Sequence, residues 1–131
     1  MKFYVASSLK NYEQVRELAG LLKDAGWEHT YDWTAHCPPG KLDRETLKSI
    51  AEKEVEGIAR CDAFILLPPL GRGAHTELGM AIALKKRIVL CHRDDALFRQ
   101  EENVPAFYCL DSIGHLSGNA QEIARKLVAG E

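Results

Sequence analysis

Residues 71–79 read GRGAHTELG, a single carboxylate behind a glycine-rich loop. The segment follows the apolar run Ala63–Leu67 and the pair Pro68–Pro69, and it leads into the small-residue stretch Met80–Ala83. That order predicts strand, loop and helix, and puts Glu77 in the first turn of a helix over Thr76–Lys85. Backbone N–H groups at a helix start favour an ionised acid by about 0.3–1 kcal/mol. Open α/β sheets bind ligands at this edge of the strands. A carboxylate ionised in advance at such a place can act as a nucleophile. The plainer reading is a dipole partner with no chemistry. A capping box does not explain it, because Thr76 as the cap would need Glu or Gln where Gly79 stands. Gly71 and Gly73 let a ligand come close to the backbone, and Arg72 and His75 lie in the same loop.

A second carboxylate, Glu54, falls on the stripe Leu47, Ala51, Glu54, Ile58 of a predicted helix, with spacings that keep one face inward. Burying a charge there is costly unless it is paired or faces a cavity. Glu54 is therefore either a boundary residue reaching solvent or a hydrogen-bonding carboxyl near the sheet edge. Around the exit of the first strand stand Tyr4, Ser7, Ser8 and Lys10. Serine hydroxyls, helix-start amides and a lysine suit a hydroxyl or phosphate group. Tyr4 reads equally as a core aromatic with a partnered hydroxyl. Arg72 reads as a solvated charge or an anion contact, and Trp33 as a stacking platform or the anchor of its own loop.

These residues need a scaffold, and the chain alternates strand and helix signals throughout. Strands are expected at Lys2–Ala6, Glu28–Asp32, Ala63–Leu67, Arg87–Cys91 and Ala106–Leu110. Helices are expected at Asn11–Ala25, with Asn11 and Gln14 as a capping box and Gly26 at its end, at Asp43–Ala59, at Thr76–Lys85 and at Asn119–Val128. A charged segment runs through Asn103. The pattern predicts one α/β domain over 1–131, a flavodoxin-like three-layer sandwich. Its five-stranded, mostly parallel sheet would have the order 2-1-3-4-5. Strands one and three are then neighbours, and the loops Ser7–Asn11 and Pro68–Thr76 face each other across one crevice. The nearly all-apolar helix after Glu77 suggests a second packing layer, such as another subunit.

The 131 residues are 46% hydrophobic and 27% charged, enough for a real core. A net charge of -2 argues against nucleic-acid binding. No run is long enough to span a bilayer and no signal peptide is evident, so a cytoplasmic location is expected. Cys37, Cys61, Cys91 and Cys109 lack metal or redox spacing, and Cys91 and Cys109 read as buried thiols. No metal site is expected.

Three stretches, "FYVASSLK", "EVEGIARCDAFILLPP" and above all "GRGAHTELGMAIALKKRIVL", resemble the nucleoside 2-deoxyribosyltransferase family. The family includes related N-glycosidases of deoxynucleoside monophosphates. The resemblance implies a flavodoxin-like or Rossmann-like fold, homodimers or larger homo-oligomers, a nucleoside or nucleotide substrate and no cofactor. It implies Glu77 as the nucleophile that takes the deoxyribosyl group, and Tyr4 as the hydroxyl orienting it. Ser8 and Lys10 match contacts to the sugar or phosphate, and Glu54 matches a position usually held by aspartate. Contacts from a neighbouring subunit fall near Asn103. Ser7 stands where glycine is common, and the loop before Glu77 is about two residues longer than in some members.

The expected activity is cleavage of the N-glycosidic bond of a 2-deoxyribonucleoside or its 5-monophosphate through a glycosyl ester on Glu77. Transfer to another base is preferred to transfer to water. The expected site comprises Glu77, Glu54 and Tyr4 for catalysis, with Ser7, Ser8, Lys10, Trp33, Gly71, Arg72, Gly73, His75 and Asn103 around the substrate. The rival readings are a nucleotide-sensing module without catalysis, and a hydrolase of a ribonucleotide or a nicotinamide dinucleotide.

Overall fold

A computed structural model describes residues 1–92 and 104–130. Five parallel strands form one sheet in the order β2-β1-β3-β4-β5. They are β1 (Lys2–Ala6), β2 (Glu28–His29), β3 (Ala63–Leu66), β4 (Arg87–His92) and β5 (Ile113–Ser117). The helices among the described residues are α1 (Tyr12–Asp24), α2 (Arg44–Arg60), α3 (Arg72–Ala83) and α4 (Ala120–Ala129). α1 packs on α4 and α2 packs on α3, so the sheet lies between two helical layers. Both faces of the central strands are covered, and every residue of β3 is buried, as a doubly covered parallel sheet requires. None of the described helices is long and apolar enough to cross a membrane.

Several expectations need correction. The fifth strand is Ile113–Ser117; the apolar run before it, Ala106–Cys109, is a 3-10 turn opened by Pro105. In that turn Tyr108 is buried while Phe107 and Leu110 are exposed, so its apolar residues do not share a sheet face. β2 keeps only two residues. Asn11 makes no side-chain cap for α1. Gly26 does adopt a left-handed φ of 91° at the end of that helix, as anticipated. Cys91 is buried, but Cys109 is exposed. In α2 the expected inward stripe holds only in part: Ile58 is buried and Glu54 half-buried, but Leu47 and Ala51 are exposed.

His29, paired with Phe3 across β1 and β2, stacks on that ring at 4.5 Å between centroids. Both its ring nitrogens are buried without a hydrogen-bond partner among the described residues. Burial pulls its pKa from 6.5 down to about 4. The unfolded chain therefore gains a proton that the folded ring refuses, and stability is lost as pH falls from about 6.5 towards 4. A His29→Phe variant should keep the stack and melt higher than the parent. That margin should be worth about 1 kcal/mol and should widen over the same pH window in thermal unfolding.

Candidate active site

β1 and β3 pair from Phe3↔Ala63 to Ala6↔Leu66, which brings the loops after them together at the carboxyl edge of the sheet. The loops are bolted to each other. Ser8 N donates to Pro69 O at 2.8 Å, and Ser7 Oγ donates to Leu67 O at 2.6 Å. The buried amide of Asn11 donates to Ser7 Oγ at 2.9 Å and to Pro68 O at 3.4 Å. Asn11 thus turns its amide to Ser7 and across to the second loop, and its side chain does not cap α1.

Tyr4 is fully buried in β1, and its ring stacks with that of Phe64 at 5.8 Å. Its hydroxyl meets Glu77 Oε2 in a short hydrogen bond and lies 3.3 Å from Glu54 Oε2. One phenolic proton cannot satisfy two carboxylates. Burial first, and the two acids second, push the Tyr4 phenol far above its ordinary range, so it stays protonated. The arrangement closes when one carboxyl group also carries a proton, giving two acids that share one.

Glu77 is 7% exposed. α3 begins at Arg72, one turn earlier than the sequence suggests, with Gly71 as its cap. Glu77 therefore stands in the second turn, beyond the free N–H groups of the helix start. Burial raises its pKa, the neighbouring Glu54 adds to the rise, and only the Tyr4 hydrogen bond opposes it. The expected ionisation by the helix start is thus opposed, because desolvation outweighs a dipole effect of about 1 kcal/mol or less and raises the Glu77 pKa.

Glu54 and Glu77 line a cavity of about 480 Å³ with Ser7, Ser8, Lys10, Trp33, Gly71, Arg72 and Gly73. Among the described residues its two basic groups are Lys10, which follows β1, and Arg72, which opens α3. A Cβ at Gly71 or Gly73 would meet open space, so the fold itself leaves room there. A smaller cavity of about 160 Å³ shares Leu9, Trp33, Pro39 and Glu54 with the first, and adds His36, Leu42, Leu47 and Ile50. Another hollow, about 310 Å³, includes lining from α1 and α4, and among the described residues Glu17 is the one ionisable group that lines it.

A family model, nucleoside 2-deoxyribosyltransferase, matches residues 3–123, which include both carboxylates and the glycine loop. The chain belongs to that family. Family membership makes it an enzyme of the nucleoside or nucleotide N-glycosidic bond, of a kind the match does not specify. The CMP N-glycosidase BcmB of Clostridium botulinum has the same fold, with a TM-score of 0.59 at 22% identity over 97% of this chain and 98% of that one. No curated protein matches in sequence.

Within this deoxyribosyltransferase-family fold, the sequence-predicted residues are distributed unevenly. Ser7 lines the cavity, yet its hydroxyl is committed to Leu67 O. Trp33 is an anchor: it is buried and its Nε1 donates to Val5 O at 2.7 Å. His75 is not among the lining residues; its ring turns to Gly71 and Tyr108. Asn103 lies outside the described residues.

Gly57 escapes a reading of the sequence. A Cβ there would lie 2.9 Å from the Tyr31 Cβ and 3.3 Å from Tyr4 Cδ2, and Thr30 Oγ1 donates to its carbonyl at 2.8 Å. The missing side chain lets α2 press onto β1, which sets Glu54, less than one turn away, at the Tyr4 hydroxyl. Gly57→Ala should cost about 1–3 kcal/mol in denaturant unfolding. It should also lower kcat about tenfold through a displaced Glu54, a shift of about 1.4 kcal/mol in the barrier.

Proposed function

We propose that the chain cleaves the N-glycosidic bond of a 2-deoxyribonucleoside or its 5-monophosphate by covalent catalysis at Glu77. The observation that carries this reading is the Tyr4 hydroxyl set between two carboxyl groups on the wall of a cavity that also holds two cations. An ionised Glu77 oxygen attacks the anomeric carbon, and the carbon–nitrogen bond breaks with its electron pair leaving on the base. Glu54 gives that nitrogen its proton. A second base, or water, then attacks the same carbon, the ester bond breaks, and Glu54 takes up the acceptor's proton.

The shared proton makes this division of labour possible. With one proton between two acids, the competent form has Glu77 ionised and Glu54 protonated. Tyr4 bridges the two forms, because its oxygen can accept from one carboxyl while its proton passes to the other. Lys10 and Arg72 suit the anionic end of a monophosphate, and the smaller cavity past Glu54 suits a flat base. Leu47 and Val55 on α2 and Leu84 just past the end of α3 are each about half exposed, and a contact between copies of the chain on this side belongs to the same reading.

The test is product analysis with deoxynucleosides, their 5-monophosphates and the ribose counterparts, each with and without a second free base. Release of base from a deoxy substrate supports the reading, and a new nucleoside formed from the added base assigns transfer. No base released from any deoxy substrate would overturn it. Tyr4→Phe tests the bridge separately. It removes the one interaction that lowers the Glu77 pKa, so less Glu77 is ionised at a given pH. The acidic limb of the pH–rate profile should move to higher pH, and kcat/KM at neutral pH should fall about tenfold to a hundredfold.

A further inference from the structure

The wall formed by Gly71, Arg72, Gly73 and Ala74 contributes four consecutive residues to the cavity. It is the cap and first turn of α3, where His75 N donates to Gly71 O at 3.2 Å, Thr76 Oγ1 donates to Arg72 O at 3.1 Å and Ala74 is buried. Gly71 caps α3 without a side-chain bond, and a Cβ at Gly71 or Gly73 would touch nothing among the described residues. A stretch with two glycines is costly to order unless something outside it fixes its position. A contact from outside α3 reaches it through the His75 side chain. Its Nδ1 lies 2.9 Å from the Gly71 carbonyl, and a carbonyl can only accept, so Nδ1 carries the proton. In the neutral ring Nε2 is then the acceptor, and the Tyr108 hydroxyl donates to it at 2.8 Å. The two rings lie within 8° of parallel at 5.9 Å. Tyr108 is 3% exposed, held in the 3-10 turn between β4 and β5. A rigid residue of the β4–β5 connection is thereby linked through one imidazole to the carbonyl that begins the Glu77 helix.

We infer that His75 and Tyr108 are positioning residues that hold the Gly71–Ala74 wall in its substrate-binding shape. Neither is among the residues that line the cavity. This rests on the N-glycosidic reading above for its substrate, but its geometry does not depend on the reaction. If the wall is loosened, substrate binding should weaken, while Glu77, held from β1 through Tyr4, should react at nearly its former rate once substrate is bound. The expected signature is a change in KM with kcat preserved.

Two variants separate the parts of the link. Tyr108→Phe keeps the stacked ring and removes the hydroxyl. His75→Asn retains a side-chain donor near Gly71 but is too short to reach Tyr108. Each should raise KM for a deoxynucleoside monophosphate about fivefold with kcat within twofold, and the double variant should rise no further than either single one, since both cut the same link. Calorimetric titration with 2-deoxyribose 5-phosphate, which needs no turnover, should show a matching loss of affinity. Values of KM and Kd within twofold of the parent in both variants would overturn the inference. So would additive losses, or a fall in kcat and melting temperature with KM unchanged, which mark a merely structural role. If the parent releases no base while the variants still bind the sugar phosphate more weakly, the link stands and the reaction does not. If the parent turns over normally and the variants match it, the reaction stands and the link does not. A parent that neither turns over nor binds overturns both.

Discussion

Glu77→Gln should lower base release at least a thousandfold and at the same time make the protein more resistant to heat. The first effect follows because an amide cannot form the glycosyl ester, and losing a nucleophile removes a whole reaction channel. The second follows from desolvation. Glu77 is buried and its pKa is raised in the folded chain, so between the unfolded carboxyl range and the folded one the unfolded state has already shed a proton that the folded state retains. Stability contributed by this group is therefore complete at low pH and drains away as pH rises through that window. Glutamine fills the same space, still accepts from Tyr4 and never ionises. The melting temperature of the variant should exceed that of the parent by a margin that grows from mildly acidic to mildly alkaline buffer. Scanning calorimetry across pH beside a base-release assay checks both, and a variant that is inactive but not stabilised would mean that Glu77 bears no burial penalty.

Glu54→Gln should be the next most damaging change, and selectively so. If Glu54 protonates the departing base, its loss should cost about a hundredfold to a thousandfold in kcat/KM with ordinary deoxynucleosides. A substrate whose base leaves without needing a proton, such as a 7-methylated purine deoxyriboside, should lose less than about tenfold with the same variant. Equal losses on both substrates would remove Glu54 from proton transfer and leave it a binding group. The distance of 3.3 Å from Glu54 Oε2 to the Tyr4 hydroxyl makes this variant informative about the shared proton as well.

The centre of the fold was legible because its strands are buried on both faces. Ala63–Leu66 is an uninterrupted apolar run, and no other arrangement of such a run between two helical patterns is as economical as a covered parallel strand. The edge was not legible. β5 buries Ile113, half-buries Leu116 and exposes Gly114, His115 and Ser117, so nothing in its composition competes with the more apolar stretch 106–110 before it. Glu77 was legible as a residue and misread as an environment. Its position at the sheet edge came from the order of strand, loop and helix, but the helix start at Arg72 depends on Gly71 serving as the cap. Shifting that start by one turn moves the side chain from a field that favours its ionised form to a pocket that raises its pKa.

Tertiary contacts hid the rest. Gly57 looks like a weak point in a helix until the Tyr31 and Tyr4 side chains above it are seen. Asn11 looks like a cap until its amide is found on Pro68 and Ser7. Leu47 and Ala51 fit the helical period of Glu54 and Ile58, yet they are exposed. Leu47 and Ile50 line the smaller cavity, so the first half of α2 serves the loop side and not the sheet. Periodicity reports which residues share a face, and the fold decides what that face meets.

The most direct measurement is mass spectrometry of protein quenched in acid during turnover of a deoxynucleoside or its monophosphate, followed by digestion and peptide mapping. A glycosyl ester on Glu77 predicts that the peptide containing residues 71–80 gains the mass of one deoxyribosyl unit, with its phosphate when the substrate carries one. An adduct on any other residue, or steady turnover with no adduct on that peptide at any quench time, would contradict it.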